Sequence, residues 1–379
     1  MEYESKLKTI QIGTDSIVPA IGQGCGRIGL SESKSRISEA EEIYAMQYGI
    51  DIGISFIDTA EVYGDGNSEL LVGRALRGRR EKVFLATKFS PENSGYGDVV
   101  SSLENSLRRL QTDYVDLYQA HWPNPSIKIE ETMSALAKLM ADGKVRNIGL
   151  SNFSKREFMD AQASLSDSKI VSNQVELNLV DRFAEQELLP FLQSIGSTLI
   201  AYSPLDKGRN AVGDARNVVL TRLSKKYEKT TSQIALGWLI SKSNVMAIPA
   251  SSNPKHLEEN AMVMRLELEK CDLDEIDEAF SPNPVYIPCD DIKVSLAGEG
   301  GKLVYQTRTE AIENRLNLAP SPIELAAYIK AGDPIKPVRL IPSAERKSEF
   351  GYDLVEGRLR YWAWVLAFDG KKPVPAYVR

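Results

Sequence analysis

Four side chains of different chemistry stand at Asp58, Tyr63, Lys88 and His121. Asp58 and Tyr63 fall in ISFIDTAEVYGDG, Lys88 closes VFLATK and His121 closes VDLYQAH, each on or just after a short apolar run with strand composition. If these runs are consecutive strands of a parallel barrel, they are neighbours. Residues at their C-terminal ends then converge, although the sequence separates them. Such a group can reduce a carbonyl. Hydride arriving at the carbon builds negative charge on the oxygen, which must be stabilised and protonated. A phenol with an ordinary pKa of about 10 is a weak acid. Lys88 is therefore expected to lower the Tyr63 pKa, and Asp58 to keep that lysine charged and oriented. His121 can donate a hydrogen bond to the same oxygen. Taken singly, each residue has a plainer use: Asp58 as a helix cap, Tyr63 in a loop, Lys88 at a solvated strand end, His121 in the core. Their joint placement at three successive strand ends favours the chemical reading.

The elements that must position them alternate. Strand candidates are Ile21–Cys25, Ile54–Ala60, Val83–Lys88, Val115–His121, Arg146–Ser151, Ser172–Glu176, Thr198–Ser203 and Asn244–Pro249. Between them lie stretches such as VVSSLENSLRRL and TSQIALGWLISK, with apolar residues three or four apart. Eight strand–helix units in about 250 residues suit an α/β fold of the (β/α)8 TIM-barrel kind. A doubly wound open sheet is the alternative, disfavoured by the strand count and by the lack of a G-x-G-x-x-G turn after the first strand, although GQGCGR resembles one loosely. Trp122 is expected to wall the pocket. Arg27, after the first strand, faces either solvent or an anionic substrate group.

Composition narrows the classes. With 42% hydrophobic and 26% charged residues, the chain can bury a core and shows no bias toward disorder. A net charge of -6 argues against a generally basic nucleic-acid binder. Cys25, Cys271 and Cys289 are scattered and odd in number, which suggests neither a disulfide framework nor a metal site. No apolar stretch reaches membrane-spanning length, and the expected compartment is the cytoplasm. Oligomeric state is not legible here.

FIDTAEVYGDGNSE, ATK, the histidine of QAHWP, and GLSNF together resemble the motifs of the aldo-keto reductase superfamily, covering about Thr9 to Phe280. That resemblance implies an NAD(P)H-dependent carbonyl reductase with Asp58, Tyr63, Lys88 and His121 as its catalytic tetrad. It implies that Ser151, Asn152 and Gln174 bind the nicotinamide carboxamide, that Tyr202 stacks on the ring, and that Ser203 and Leu205 belong to the loop near the diphosphate. The adenosine end falls on Ser251, Ser252, His256 and Asn260, with Ser252 or Asn253 capping the helix there. Ala250 and His256 replace a lysine and an arginine common in the family, so NADPH is expected with weak discrimination against NADH.

After Phe280 the proline-rich SPNPVYIPCDD breaks the alternation. The expected organisation is a barrel over 1–280, a linker over 281–302 and a smaller α+β domain over 303–379. From Tyr286 onward 14 Lys plus Arg face 12 Asp plus Glu, so the acidity sits in the barrel. GDPIKPV, YDLVEGRLRYWAW and VPAYV in this tail resemble the ParB and sulfiredoxin-like superfamily. That implies a nucleotide-phosphate site at Glu356, Gly357, Arg358 and Arg360, taking ATP or another nucleotide, with or without Mg. A helix N-terminus and guanidinium groups suit such an anion. Glu356 is open between a base, a metal ligand and a plain salt bridge. No helix-turn-helix region follows, which disfavours DNA as a partner. A kinase or nucleotide switch in the tail, with the barrel sensing its cofactor, is the alternative overall reading.

Overall fold

The computed structural model describes residues 7–30, 37–205, 215–281, 284–294, 305–316, 318, 320–343 and 350–378. The chain divides into two units, Met1–Ser281 and Pro282–Arg379.

The first unit begins with an antiparallel hairpin, β1 (Thr9–Ile12) and β2 (Ser16–Pro19), which the alternation pattern did not foretell. Its Ile12 and Val18 pack with Phe56, Phe84 and Leu117, residues near the starts of barrel strands. The hairpin thus plugs the end of the barrel opposite the strand ends that carry Asp58 and Lys88. The alternating units follow: β3 (Gln23–Gly24), α1 (Glu39–Asp51), β4 (Phe56–Asp58), α2 (Asn67–Ala75), β5 (Phe84–Phe89), α3 (Tyr96–Leu110), β6 (Val115–Ala120) and α4 (Ile129–Ala141). Then come β7 (Val145–Ser151), α5 (Lys155–Ala163), β8 (Ile170–Glu176), α6 (Leu188–Ile195), β9 (Thr198–Tyr202), α7 (Ala215–Tyr227), α8 (Thr231–Ile240), β10 (Val245–Ala247), α9 (Pro254–Val263) and α10 (Lys270–Ala279).

Strands β3 to β10 form one parallel sheet in sequence order. Backbone bonds close it into a barrel: Gly22 N donates to Ala247 O at 2.8 Å, and Ala247 N to Ala20 O at 3.0 Å. Gly24 permits this seam, because a Cβ there would lie 2.8 Å from Ile248 O. All residues of β5 and β6 are buried, as expected for strands covered on both faces. Alternation then sorts them. Leu85, Phe89, Tyr118 and Ala120 join the outer core under the helices, while Ala86 and Leu117 face the barrel interior. Two residues further along each interior row stand Lys88 and Gln119.

Local signals set the helix starts. Ser38 with Glu41, Ser154 with Glu157 and Thr230 with Gln233 form reciprocal capping boxes on α1, α5 and α8. In α3, Val99, Leu103, Leu107 and Leu110 share the buried face, and Gln111 ends the helix in the left-handed region at φ 56°.

In the second unit, β11 (Val285–Ile287), β12 (Ile292–Val294), α11 (Arg308–Ile312), α12 (Pro322–Lys330), β13 (Val338–Pro342), β14 (Tyr352–Glu356), α13 (Arg358–Phe368) and β15 (Val374–Val378) follow in order. The strands form a mixed sheet in the order β11-β15-β13-β14-β12. The expectation of a linker over 281–302 is corrected here: β11 and β12 lie within it, and the rest of that stretch past Val294 is outside the described residues. Both are edge strands, where flanking prolines such as Pro284 and Pro288 are tolerated because fewer ladder bonds are needed. Val338, Leu340, Leu354, Tyr361, Trp362 and Val374 form this unit's core. Trp362 Nε1 donates to Tyr305 O at 2.7 Å, and Tyr361 Oη to Cys289 O at 2.9 Å.

Candidate active site

Asp58 ends β4, Lys88 lies on β5 and His121 follows β6 directly; Tyr63 opens the turn after β4. That turn is tight, with Gly64 at φ 57° and Asp65 at φ 55°. The structure brings all four residues together. Lys88 Nζ donates to Asp58 Oδ2 at 2.7 Å, to Thr59 O at 2.9 Å and to Tyr63 Oη at 3.2 Å. Three acceptors thus surround the three ammonium protons. Lys88 is fully buried and Asp58 nearly so. The Tyr63 and His121 rings meet edge to face with centroids 5.6 Å apart.

Burial sets the direction of the shift at Tyr63 and His121, and ion pairing sets it at Lys88. Burial raises the Tyr63 pKa above the ordinary phenol value, and Lys88 pulls the other way without overcoming it. The expectation of a lowered Tyr63 pKa is therefore corrected: Lys88 limits the rise. Burial also works against the charge on Lys88, but Asp58 and Tyr63 outweigh it and the lysine pKa is raised. His121 is lowered to about 3 by burial and by the Lys88 charge, so its imidazole is neutral at physiological pH.

The second Asp58 oxygen, Oδ1, accepts from Gln174 Nε2 at 2.8 Å and from Gln119 Nε2 at 3.4 Å. Gln119 was missed from sequence. It stands two residues before His121 on the interior row of β6, and its Oε1 is buried without a partner among the described residues. Strand alternation was the signal that pointed to it.

Beside the tetrad lies a cavity of about 730 Å³. Of the expected cofactor residues, Ser151, Asn152, Gln174, Tyr202, Ser203, Leu205 and His256 line it; Ser251, Ser252 and Asn260 do not. One hydrogen-bond network spans its wall. Tyr202 Oη donates to Asn152 Oδ1 at 2.9 Å, and Asn152 Nδ2 donates to His121 O at 3.0 Å and Ser151 Oγ at 3.1 Å. Ser151 Oγ in turn donates to Gln174 O at 2.9 Å. Asn178, also unforeseen, fixes the turn after β9 by donating to Ser203 O at 3.1 Å. At α9 the cap is Asn253, whose Oδ1 accepts from Lys255 N at 3.0 Å, rather than Ser252. Ser251 Oγ accepts from Asn253 N at 3.1 Å, and Asn260 is buried in that helix. An aromatic ring and amide-bearing side chains at one end, with His256 of the helix at the other, fit the donors that an extended dinucleotide requires.

In the second unit, Gly357 caps α13 at φ 94°. Arg358 donates to Val355 O and Leu354 O, both at 3.1 Å, and Arg360 Nη1 to Lys336 O at 2.7 Å and Pro337 O at 3.0 Å. Glu356 meets Arg339 at 2.7 Å and Arg360 at 3.6 Å, which is the salt-bridge arrangement of the three left open by sequence.

Removing Asp58 would leave the buried Lys88 ammonium without its counter-charge. Asp58→Ala is expected to cost about 3–5 kcal/mol of unfolding free energy, as for other buried pairs broken on one side. Urea denaturation measures it; a loss below about 1 kcal/mol would show that the pair does not hold this end of the barrel.

The aldo/keto reductase family model matches residues 20–280. Methylglyoxal reductase YeaE of Escherichia coli is 39% identical over 274 residues, 72% of this chain and 95% of that protein. Glyoxal reductase of Bacillus subtilis is 36% identical over 257 residues, 65% of this chain and 87% of that protein. A crystal structure of an aldo/keto reductase from Klebsiella pneumoniae in complex with NADP and acetate superposes with a TM-score of 0.68 at 35% identity, covering 73% of this chain and 97% of that one. Tail residues beyond 280 lie outside the family match. With the tetrad, the closed barrel and these matches together, the chain belongs to the aldo/keto reductase family of oxidoreductases.

Proposed function

We propose that the first unit reduces a small aldehyde or ketone to an alcohol with a reduced nicotinamide dinucleotide, and that Tyr63 supplies the proton. The observation that carries this reading is the Lys88 ammonium, paired with Asp58 at 2.7 Å and 3.2 Å from Tyr63 Oη. A nicotinamide bound in the cavity would supply the hydride. As negative charge develops on the carbonyl oxygen, the Tyr63 O–H bond breaks and the proton passes to that oxygen. Lys88 then faces the phenolate left behind and stabilises it through the existing hydrogen bond. His121, uncharged with a pKa of about 3, offers one N–H to hold the carbonyl oxygen without competing as an acid.

Ser151, Asn152 and Gln174 would hold the carboxamide, Tyr202 would stack on the ring, and Ser203 and Leu205 would flank the diphosphate. Ser251, Ser252, His256 and Asn260 would take the adenosine end. NADPH is preferred to NADH by a small factor, because His256 offers a single imidazole where a guanidinium would make two parallel bonds to a phosphate. The Klebsiella complex with NADP supports the cofactor class. The relatives named for methylglyoxal and glyoxal suggest short 2-oxoaldehydes as substrates. Methylglyoxal turnover with NADPH and with NADH, in wild type and Tyr63→Phe, tests the reading. The variant is expected to lose about 10²–10⁴ in kcat, the usual contribution of a positioned general acid. Undiminished turnover in Tyr63→Phe contradicts the mechanism, and a preference for NADH above tenfold contradicts the cofactor assignment.

A second reading concerns the tail: that it is a ParB/sulfiredoxin-like domain in which Gly357, Arg358 and Arg360 hold a nucleotide phosphate, with Glu356 orienting Arg360 by its salt bridge, as a kinase, switch or accessory. Supporting it are the positive φ of Gly357, the absence of a side-chain cap on α13, and the arginines of that first turn. Calorimetric titration of the full chain with ATP, ADP and CTP, with and without Mg, is expected to show binding that Arg360→Ala weakens. Heat-silent titrations of wild type sink this reading.

A further inference from the structure

We infer that Arg27 selects carbonyl substrates that carry a carboxylate, a specificity that rests on the reductase reading above. Arg27 is exposed and lines the same cavity as Tyr63, His121 and Trp122. It has no hydrogen-bond or ion-pair partner among the described residues. Its neighbour fixes where it stands. A Cβ built on Gly26 would lie 3.6 Å from Tyr63 Cζ, the carbon that bears the hydroxyl, so this segment passes beside the proton donor. The missing side chain leaves the Tyr63 ring open to the cavity at that point.

The charge balance of the cavity favours an anion there. Asp58 is the acidic residue in its lining, and it is buried and committed to Lys88. His121 is neutral. Among the described residues the guanidinium of Arg27 is thus a positive charge without an acidic partner in the cavity that holds Tyr63 and His121, in a protein of net charge -6. A planar guanidinium binds carboxylate through two parallel N–H bonds. Trp122, 48% exposed, offers an apolar wall for the body of the substrate. The cofactor diphosphate is the competing anion, but the passage of Gly26 beside Tyr63 favours the donor end of the cavity for its neighbour Arg27.

The test uses two aldehydes of similar shape and different charge, 4-carboxybenzaldehyde and 4-nitrobenzaldehyde, reduced with NADPH by the full chain. Wild type is expected to show a KM about tenfold lower for the carboxylate, ~1.4 kcal/mol of binding. Arg27→Gln is expected to abolish that ratio through KM rather than kcat, and Arg27→Lys to restore part of it. An unchanged KM ratio in Arg27→Gln overturns the inference, including the case in which NADPH binding weakens and Arg27 proves to serve the diphosphate. If wild type reduces neither aldehyde, the reductase reading fails separately. Calorimetry of 4-carboxybenzyl and 4-nitrobenzyl alcohol on the NADP-loaded protein then decides the role of Arg27: a carboxylate preference lost in Arg27→Gln supports it, and no preference in wild type overturns it.

Discussion

A lysine ammonium with no exposed surface is the constraint on which the site depends. Lys88 can stay charged inside the barrel because its three protons meet Asp58, the Thr59 carbonyl and Tyr63. An unpaired charge at that depth would be neutralised or would unfold its surroundings. The pairing also orders its neighbours. Asp58 is held on its other oxygen by Gln174 and Gln119, so strands β4, β5, β6 and β8 each contribute a side chain to one polar cluster. The barrel supplies this geometry: Lys88 stands opposite Gln119 in register, and Asp58 opposite Ala86, two residues before Lys88 on the same interior row.

The same burial sets the division of labour between the two candidate donors. It pushes the phenol of Tyr63 up and the imidazole of His121 down, so both are uncharged at neutral pH. A neutral phenol beside an ammonium is a proton source whose product is stabilised in advance. A neutral imidazole beside the same ammonium can donate a hydrogen bond from its one N–H but is a poor proton source. In the proposed mechanism one buried cation thus gives two neighbouring groups different roles.

Much of this was legible in the sequence, for identifiable reasons. Asp58, Tyr63, Lys88 and His121 stand out because polar residues at the ends of apolar runs have no place in an ordinary core. The barrel strands were legible because burial on both faces leaves continuous apolar runs. The hairpin of Thr9–Ile12 and Ser16–Pro19 was not, since the alternation of TIQI runs for only four residues and SIVP has none. Strands Val285–Ile287 and Ile292–Val294 were hidden by prolines that edge positions tolerate. Gln119 was overlooked as one polar residue within a strand, although its parity with Lys88 across the sheet marks it as interior. The direction of the Tyr63 shift lay out of reach, because it is the balance of a nearby charge against a depth of burial that only the folded chain defines.

The claim that burial outweighs Lys88 at Tyr63, leaving a protonated phenol whose anion the lysine stabilises, can be measured directly. Titration of the protein with tyrosine labelled by carbon-13 at Cζ, assigned with Tyr63→Phe, gives the ionisation of this one ring. The account predicts that Tyr63 stays protonated beyond the ordinary phenol value of about 10, and that Lys88→Met moves its ionisation higher still. Ionisation of Tyr63 below about pH 9, or no rise in Lys88→Met, would contradict it.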